Sequence, residues 1–362
     1  MQHPMKAVLA LAMLAAGSVQ AQSNVTIYGI LDTAVARVTN TNADGDGVTK
    51  MPSLTGSLPS RIGFRGSEDL GGGLSAVFAL EAGIAPDSGT MGQGNRLFGR
   101  QAWVGLKGKW GTVSMGRQPN MTFFATLKSD VLGPNLFAIG SIDPYFPNAR
   151  SDNAIAYLGN FDGVVAGATY SLGRDASATG GPAATGCAGE SAADPQACRQ
   201  ATALLGYEVK GYGINVSLDR LRGGVGAANG LTSSRHDDRR TMLNGYYMIG
   251  ATKLGGGAML RRARAATGTV ESNLYYLGAS YPITPMLTFD AQAARKDVKA
   301  SGNDTSMLVA RLTHFLSTRT AVYGALGWMN NHGTAAIALD AGGTAGAGMA
   351  QSGAMAGLRH VF

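Results

Sequence analysis

The chain has 362 residues, a formal net charge of +7 and few charged side chains. Charged residues make up 15% of it, against about 25% in a typical soluble protein. The 53 glycines are accompanied by only 12 prolines, which excludes a collagen-like or proline-rich chain. Basic residues are spread singly rather than clustered, so we expect no nucleic-acid partner. The length fits two ordinary domains or one large β-architecture.

The first element in chain order is a predicted signal peptide over residues 1–21. Lys6 precedes the apolar run AVLALAMLAAG at 7–17, and the tripeptide VQA provides a cleavage site. The run is too short to span a bilayer as a helix, and an uncleaved anchor is the less favoured alternative. We therefore expect a mature chain of residues 22–362 that forms a single domain.

The mature chain repeats one pattern, an alternating run of roughly ten residues followed by a turn or loop. In the hairpin at 60–81, Arg61 and Arg65 lie on one face while Ile62 and Phe64 lie on the other. We find no helical periodicity after the signal peptide. Short connectors alternate with long ones, and this alternation is typical of membrane β-barrels. The short connectors are 67–72, 108–111, 160–163, 210–213 and 282–285, and the long ones are 38–57, 83–96, 118–150, 172–200, 222–237 and 330–351.

These connectors predict an all-β fold, a transmembrane antiparallel barrel of about sixteen strands. A soluble β-sandwich produces the same alternation and is the alternative. Three observations favour the barrel: the sparse charge, the export signal, and a final alternating strand that ends at Phe362. A closed barrel satisfies every backbone hydrogen bond in lipid, which an open sheet cannot do.

The sequence offers no motif for catalysis, metal binding or a cofactor. Four histidines are scattered along the mature chain without metal-ligand spacing, and no nucleophile motif is present. We therefore expect no enzymatic activity, no metal and no cofactor. The two cysteines, Cys187 and Cys198, lie in one loop of an exported chain, which favours a disulfide over two free thiols.

At this point the chain resembles the general porins of Gram-negative outer membranes, most closely the beta-proteobacterial branch. The matching pieces are spread along nearly all of the mature chain, in the expected order. They are VTIYGILD at 25–32, SRIGFRGSEDLGGGLSAVFALE at 60–81, FGRQAWVGLKGKWGTVSMGRQ at 98–118, NARSDNAIAY at 148–157 and GLRHVF at 357–362.

The resemblance implies a sixteen-stranded barrel, usually a homotrimer, with one water-filled pore per subunit. It implies that the third extracellular loop, here 118–150, folds inward to form a constriction. Wall arginines would face acidic groups on this loop. By motif match the arginines are Arg61, Arg100, Arg117 and Arg150, and the loop carboxylates would be Asp130 and Asp143.

The charge balance predicts a preference for anions. Rows of arginine favour anions in a narrow passage, and the stretch PNLFAIGSI at 134–142 carries no carboxylate. One residue conflicts with this assignment, because Arg117 shares its strand face with the apolar Val113 and Met115. A β-bulge would resolve the conflict by turning Arg117 inward.

We therefore expect an outer-membrane porin for passive diffusion of small hydrophilic solutes and ions. Its expected partners are outer-membrane lipid, lipopolysaccharide and, through the C-terminal strand that ends at Phe362, the barrel assembly machinery. The alternative is a non-conducting barrel that acts as a surface adhesin or antigen through its long loops.

Overall fold

A computed structural model describes residues 24–177 and 184–362, so the predicted signal peptide at 1–21 lies outside the described residues. The regular secondary structure of the described chain is almost entirely β-strand. No helix within it is long and apolar enough to cross a membrane. Its strands are β1 Asn24–Val38, β2 Val48–Lys50, β3 Arg61–Gly71, β4 Leu74–Gly83, β5 Gln101–Gly108, β6 Gly111–Pro119, β7 Arg150–Phe161, β8 Val164–Ser171, β9 Gln200–Glu208, β10 Tyr212–Arg222, β11 Asp237–Ile249, β12 Thr252–Ala265, β13 Gly268–Thr284, β14 Leu287–Val298, β15 Thr305–Phe315, β16 Thr320–Asn331 and β17 Gln351–Val361.

The strands form one closed antiparallel ring. From β3 to β17 each strand pairs with the next along the chain. Strand β1 closes the ring, because it pairs with β3 through residues 24–30 and with β17 through residues 30–38. The short β2 lies beside the end of β1, which leaves 17 − 1 = 16 strands in the ring. The predicted barrel of about sixteen strands is confirmed.

The two faces of each strand differ as the alternation predicts. In β15, Leu308 and Leu312 are 56% and 43% exposed, whereas Met307 and Arg311 are 2% and 9% exposed. The exposed residues are apolar and the buried ones include charges, which reverses the arrangement of a soluble protein. An apolar outer surface of this kind is suited to contact with lipid.

The ends of the barrel differ in the length of their connectors. At one end of the barrel the turns are tight. The turn predicted at 67–72 is shorter than expected in the structure, because strand β3 continues to Gly71. The chain reverses through Gly72 and Gly73, whose positive φ angles of 62° and 80° favour glycine. The other end, here called the loop end, carries the six predicted long connectors. It also has two short ones, at 266–267 and 299–304.

The connector between β6 and β7 contains helical turns that the sequence analysis did not predict. A short helix spans Met121–Thr126, another spans Ile139–Ile142, and a 3₁₀ turn spans Phe146–Asn148. The side chain of Asn120 caps the first helix by accepting a hydrogen bond of 3.1 Å from the backbone N–H of Thr122. Because these helices are each shorter than two turns, they leave no periodic signal in the sequence.

Candidate functional site

Residues 120–149, here called the inner segment, contact side chains on the buried faces of the strands. The hydroxyl of Thr122 donates to Asp219 of β10 at 2.8 Å, and Arg311 of β15 donates to the carbonyl of Leu132 at 3.0 Å. Apolar residues add a continuous contact with β1 and with β11–β17. The residues of the inner segment in this cluster are Leu132, Leu136, Phe137, Ala138, Ile139, Ile142 and Phe146. This cluster contains no residue of β3–β6, whereas Met121 and Ala125 belong to a smaller apolar cluster that includes Leu158 of β7.

Arginines gather on that remaining wall around one carboxylate. Glu81 of β4 is buried, and it accepts hydrogen bonds from Arg100 at 2.6 Å and from the Tyr28 hydroxyl at 2.9 Å. The guanidinium of Arg61 lies 3.6 Å from the same carboxylate. Glu81 therefore holds two of the predicted arginines, Arg61 and Arg100, on neighbouring strands.

Arg150 extends this cluster without a carboxylate partner of its own. It is buried at the start of β7, and its Nη1 donates to the side chain of Asn148 at 3.2 Å. Its Nε has no hydrogen-bond partner among the described residues. The charges that act on Arg150 most strongly are those of Arg100, Arg117, Glu81 and Arg61. Arg61 and Arg100 thus pair with Glu81 while Arg150 adds a third cation beside them, which leaves the cluster with a net charge of 3 − 1 = +2.

Arg117 lies on the inside of the barrel because its strand is irregular. The register between β6 and β7 shifts between Gly116 and Gln118, so a β-bulge interrupts the alternation there. The Nε of Arg117 donates to the carbonyl of Gly99 at 2.7 Å, and its Nη1 pairs with Asp152. This irregularity resolves the conflict between the charge of Arg117 and its apolar strand face.

A cavity of about 280 Å³ separates the inner segment from this wall. On the wall side it is lined by Arg100 and Gln93, with Lys50 of β2 nearby. On the segment side it is lined by Pro134, Asn135 and Asn148, none of which is charged. Of the four predicted arginines only Arg100 lines this cavity, and the two cations in its lining are each paired with a carboxylate, Arg100 with Glu81 and Lys50 with Asp340.

The two predicted loop carboxylates lie elsewhere, and neither forms an ion pair with the four predicted arginines. Asp143 lies 3.6 Å from Arg240 of β11 and 3.9 Å from Arg261 of β12. Burial raises the pKa of Asp143, but the charges of Arg240 and Arg261 outweigh it and hold the pKa below its usual value. Asp143 therefore stays ionised at neutral pH.

Asp130 has a different environment. Its carboxylate accepts a hydrogen bond of 2.8 Å from the side-chain amide of Gln292 on β14. Burial is the largest influence on this carboxyl and raises its pKa to about 6, although the hydrogen bond and the charge of Arg311 act in the opposite direction. The Asp130 carboxyl therefore gains or loses its proton at a pH just below neutral.

A second cationic cavity, of about 360 Å³, lies between the inner segment and strands β11–β14. Arg240, Arg261 and Lys296 line it together with Asp143 and Asp238. The guanidinium of Arg240 stacks 4.4 Å from the ring of Tyr145, which fixes its position. The sequence analysis missed these three cations, although each lies on the buried face of its strand and alternation alone would have placed it there.

The disulfide is present, and it is buried at the loop end. Cys187 and Cys198 are bonded, and they pack against Leu221, Ala227 and Leu231 of β10 and the following connector. The bond closes a loop within the connector between β8 and β9, and apolar packing holds that loop against the neighbouring connector. The described residues contain no group of histidine, cysteine or carboxylate side chains placed to hold a metal ion.

Comparison with known proteins agrees with this geometry. Residues 7–334 match the Gram-negative porin family. Outer membrane porin protein 32 of Delftia acidovorans is 33% identical, and the match covers 99% of each chain. An outer membrane porin of Bordetella pertussis is 31% identical, with 88% of this chain and 92% of that protein covered.

Solved structures share the same barrel. An anion-selective porin from Comamonas acidovorans superposes with a TM-score of 0.78 at 31% identity, covering 94% of this chain and all of that one. The trimer form of OmpT of Vibrio cholerae has a TM-score of 0.65 at 14% identity and shares the fold alone. The chain therefore belongs to the Gram-negative porin family, and it is a channel-type β-barrel of the bacterial outer membrane.

Proposed function

We propose that this porin lets small hydrophilic solutes and ions diffuse passively, that it prefers anions, and that it catalyses no reaction. The observation behind this proposal is the arginine cluster, in which Arg61 and Arg100 pair with Glu81 while Arg150 adds a third cation beside them. A net positive wall beside a narrow aqueous passage raises the local concentration of anions and lowers that of cations. The anion-selective porin with the same barrel supports the same preference.

We further propose that the constriction lies between the inner segment, within loop 118–150, and the wall that carries Arg61, Arg100, Arg117 and Arg150. The cavity of about 280 Å³ supports it, because Arg100 lines this cavity on the wall side and residues of the inner segment line it on the other. In this proposal Asp130 and Asp143 belong to the opposite side of the inner segment. There they offset cations of β11, β12 and β15.

The assembly we propose is a homotrimer in lipid and lipopolysaccharide, with one pore in each subunit. Export would remove residues 1–21, leaving residues 22–362 as a single barrel domain that the assembly machinery recognises through its C-terminal strand. Mass spectrometry of the mature protein tests the cleavage site directly. The conductance of the purified protein tests both the pore and its number per particle, because a trimer opens in groups of three steps.

The ion preference is tested by replacing Arg61 and Arg150 with Ala in planar bilayers under a salt gradient. We expect the wild-type reversal potential to favour chloride over potassium. We expect the double variant to shift toward potassium, since the arginine cluster changes from +2 to neutral. The matched control is the double variant Arg262→Ala, Arg295→Ala, which also removes two positive charges, but from the outer faces of β12 and β14, where Arg262 pairs with Glu271 at 3.1 Å and Arg295 pairs with Asp297 at 2.6 Å.

Each result of this recording decides one part of the proposal. Cation-selective wild-type steps would refute the anion preference. An unchanged reversal potential in the double variant would remove Arg61 and Arg150 from the constriction. A protein that inserts into the bilayer without conducting would refute the pore and leave the adhesin or antigen as the function.

A further inference from the structure

The outer surface of the barrel carries a band of arginines at the loop end of β10–β12. Paired positions in the sheet register place Arg220, Arg239 and Arg262 side by side on three consecutive strands. The next outward row, toward the loops, contains Arg222, Asp237 and Arg264, and Arg222 donates to the backbone carbonyl of Ser234 at 3.3 Å. The side chains of Arg220, Arg239, Arg262 and Arg264 are between 41% and 59% exposed. We call them the outer arginine band.

The outer arginine band lies directly beside the apolar belt. Two residues nearer the middle of the same strands, the outward positions are Leu218, Thr241 and Leu260. The row below contains Val216 and Leu243, and the leucines and Val216 are all exposed. An apolar belt of this kind lies against lipid tails, and the side chains just beyond it reach the headgroup layer.

The outer arginine band is short of negative charge. Like charges directly opposite each other on paired strands destabilise a sheet, and here three arginines lie in one row. Asp237 accepts hydrogen bonds from Arg220, Arg239 and Arg264 at 2.6–2.9 Å, and Glu271 pairs with Arg262. The four guanidiniums of the band against these two carboxylates leave a net charge of 4 − 2 = +2, and Arg222, in the same row as Asp237, adds a further positive charge.

Several guanidinium donors remain available to a ligand from outside. Arg220 and Arg239 each donate to Asp237 through Nε, and the described contacts of these two residues include no hydrogen bond from a terminal nitrogen. Planar guanidiniums bind phosphate through paired hydrogen bonds. A fixed anionic group outside the barrel, at the height of the headgroups, would neutralise the excess charge.

We propose that the outer arginine band binds the phosphate groups of lipid A, the phosphorylated glycolipid anchor of lipopolysaccharide. The apolar belt below the band would contact its acyl chains while the arginines hold its phosphates. Lipid A occupies the outer leaflet of the outer membrane. The outer arginine band lies at the loop end of the barrel, which faces that leaflet, so the band can reach lipid A there. The proposal depends on the outer-membrane location and not on ion preference.

Calorimetric titration of lipid A into the mature protein in detergent micelles tests this proposal. We expect measurable binding of lipid A and much weaker binding of its dephosphorylated form. The double variant Arg239→Gln, Arg262→Gln should weaken lipid A binding at least about tenfold, as expected for the loss of charge-assisted hydrogen bonds. Arg262→Gln alone should have a smaller effect, and it preserves every bond to Asp237.

The matched control is Arg295→Gln on the outer face of β14. Arg295 also lies near the loop end, but Asp297 at 2.6 Å and Asp304 at 3.0 Å already neutralise it. We expect this variant to bind lipid A as the wild type does. Equal binding of the dephosphorylated lipid, or full binding by the double variant, would overturn the proposal.

Two further results would assign the band to another occupant. If inorganic phosphate competes with lipid A at equal concentration, the band is a site for free anions. If a cysteine placed at Arg239 crosslinks to a second copy of the chain, the band is a subunit interface. Either result would overturn the lipid proposal.

Discussion

At the scale of single residues, the behaviour of the proposed pore depends on a few carboxylates among many arginines. Glu81 is the strongest case, because it is buried between Arg61 and Arg100 and bonded to Tyr28. Its charge offsets part of the cluster and also keeps the guanidiniums in place. Removing that charge therefore changes the electrostatic potential directly and changes the barrel surface very little.

We predict that Glu81→Gln increases the preference for anions. The cluster of Arg61, Arg100 and Arg150 would change from +2 to +3, and the amide would still accept a hydrogen bond from Arg100. The measurement is the reversal potential under a salt gradient. Glu271→Gln, on the outer face of β13, is the control and should leave it unchanged. A shift toward cations in Glu81→Gln would contradict the proposed role of the cluster.

Asp130 predicts a dependence of ion preference on pH. Its pKa of about 6 lies above the ordinary value of a carboxyl, so it is charged at pH 7 and mostly protonated at pH 5. Lowering the pH across this range therefore removes a negative charge from the interior and increases the preference for anions. Asp130→Asn should show the pH 5 preference already at pH 7 and lose this step. If the variant keeps the full pH response, the response belongs to another group.

At the scale of elements, the inner segment is held mainly by apolar packing. Phe137 is completely buried against Leu339, and its ring lies over two glycines of the wall, Gly327 and Gly353. A Cβ added at Gly353 would lie 2.8 Å from that ring. The barrel wall therefore has no side chain at the two glycines where the Phe137 ring packs, and the close packing of the inner segment on the wall depends on that space.

Replacing Phe137 with Ala should loosen the inner segment without unfolding the barrel. The loss of a buried aromatic ring costs about 3–5 kcal/mol, and here the cost acts on docking of the segment. We expect noisier open-channel current with frequent closures, recorded in single channels. Phe123→Ala is the control, since that ring is only partly buried and packs edge-to-face against Phe124 with 5.8 Å between the ring centroids. Quiet current in Phe137→Ala would show that polar contacts alone hold the segment.

The sequence predicts the strands far better than the inner segment. The two-residue alternation of a strand predicts which side chains of β15 face outward and which face inward. The same alternation predicts that Glu81 and Lys296 face the interior of the barrel. It failed at Arg117, because a bulge changes the phase without changing composition. Alternation also gives no sign that Asp143 lies beside Arg240 and Arg261. These residues are about a hundred positions apart in the chain, and their contact depends on how the whole barrel folds rather than on a local pattern.

At the scale of the whole molecule, the barrel has apolar side chains outside and charged side chains inside, the reverse of a soluble protein, so its stability depends on the lipid around it. Its outer surface is apolar over the height of the membrane, and its interior holds the charges and the inner segment. Leu326 illustrates the outer surface, because it lies in the middle of β16 and is 65% exposed. In a single subunit, lipid is the expected neighbour of this side chain.

Leu326→Arg should destabilise the barrel in lipid vesicles by about 2–4 kcal/mol, the cost of an arginine near the midplane of a bilayer. The measurement is the free energy of unfolding in a denaturant titration. The control is Leu316→Arg in the turn after β15, near the membrane surface, where the cost is about 0–1 kcal/mol. Equal effects at the two positions would mean that Leu326 does not face the hydrocarbon layer.

The disulfide between Cys187 and Cys198 changes what an external protease can do to this surface. A cut of the backbone between these two residues leaves the pieces of the connector covalently joined, because the bond bridges the cut. Both ends also remain packed on Leu221 and Leu231. The connector can thus be nicked on the cell surface and still cover its neighbour.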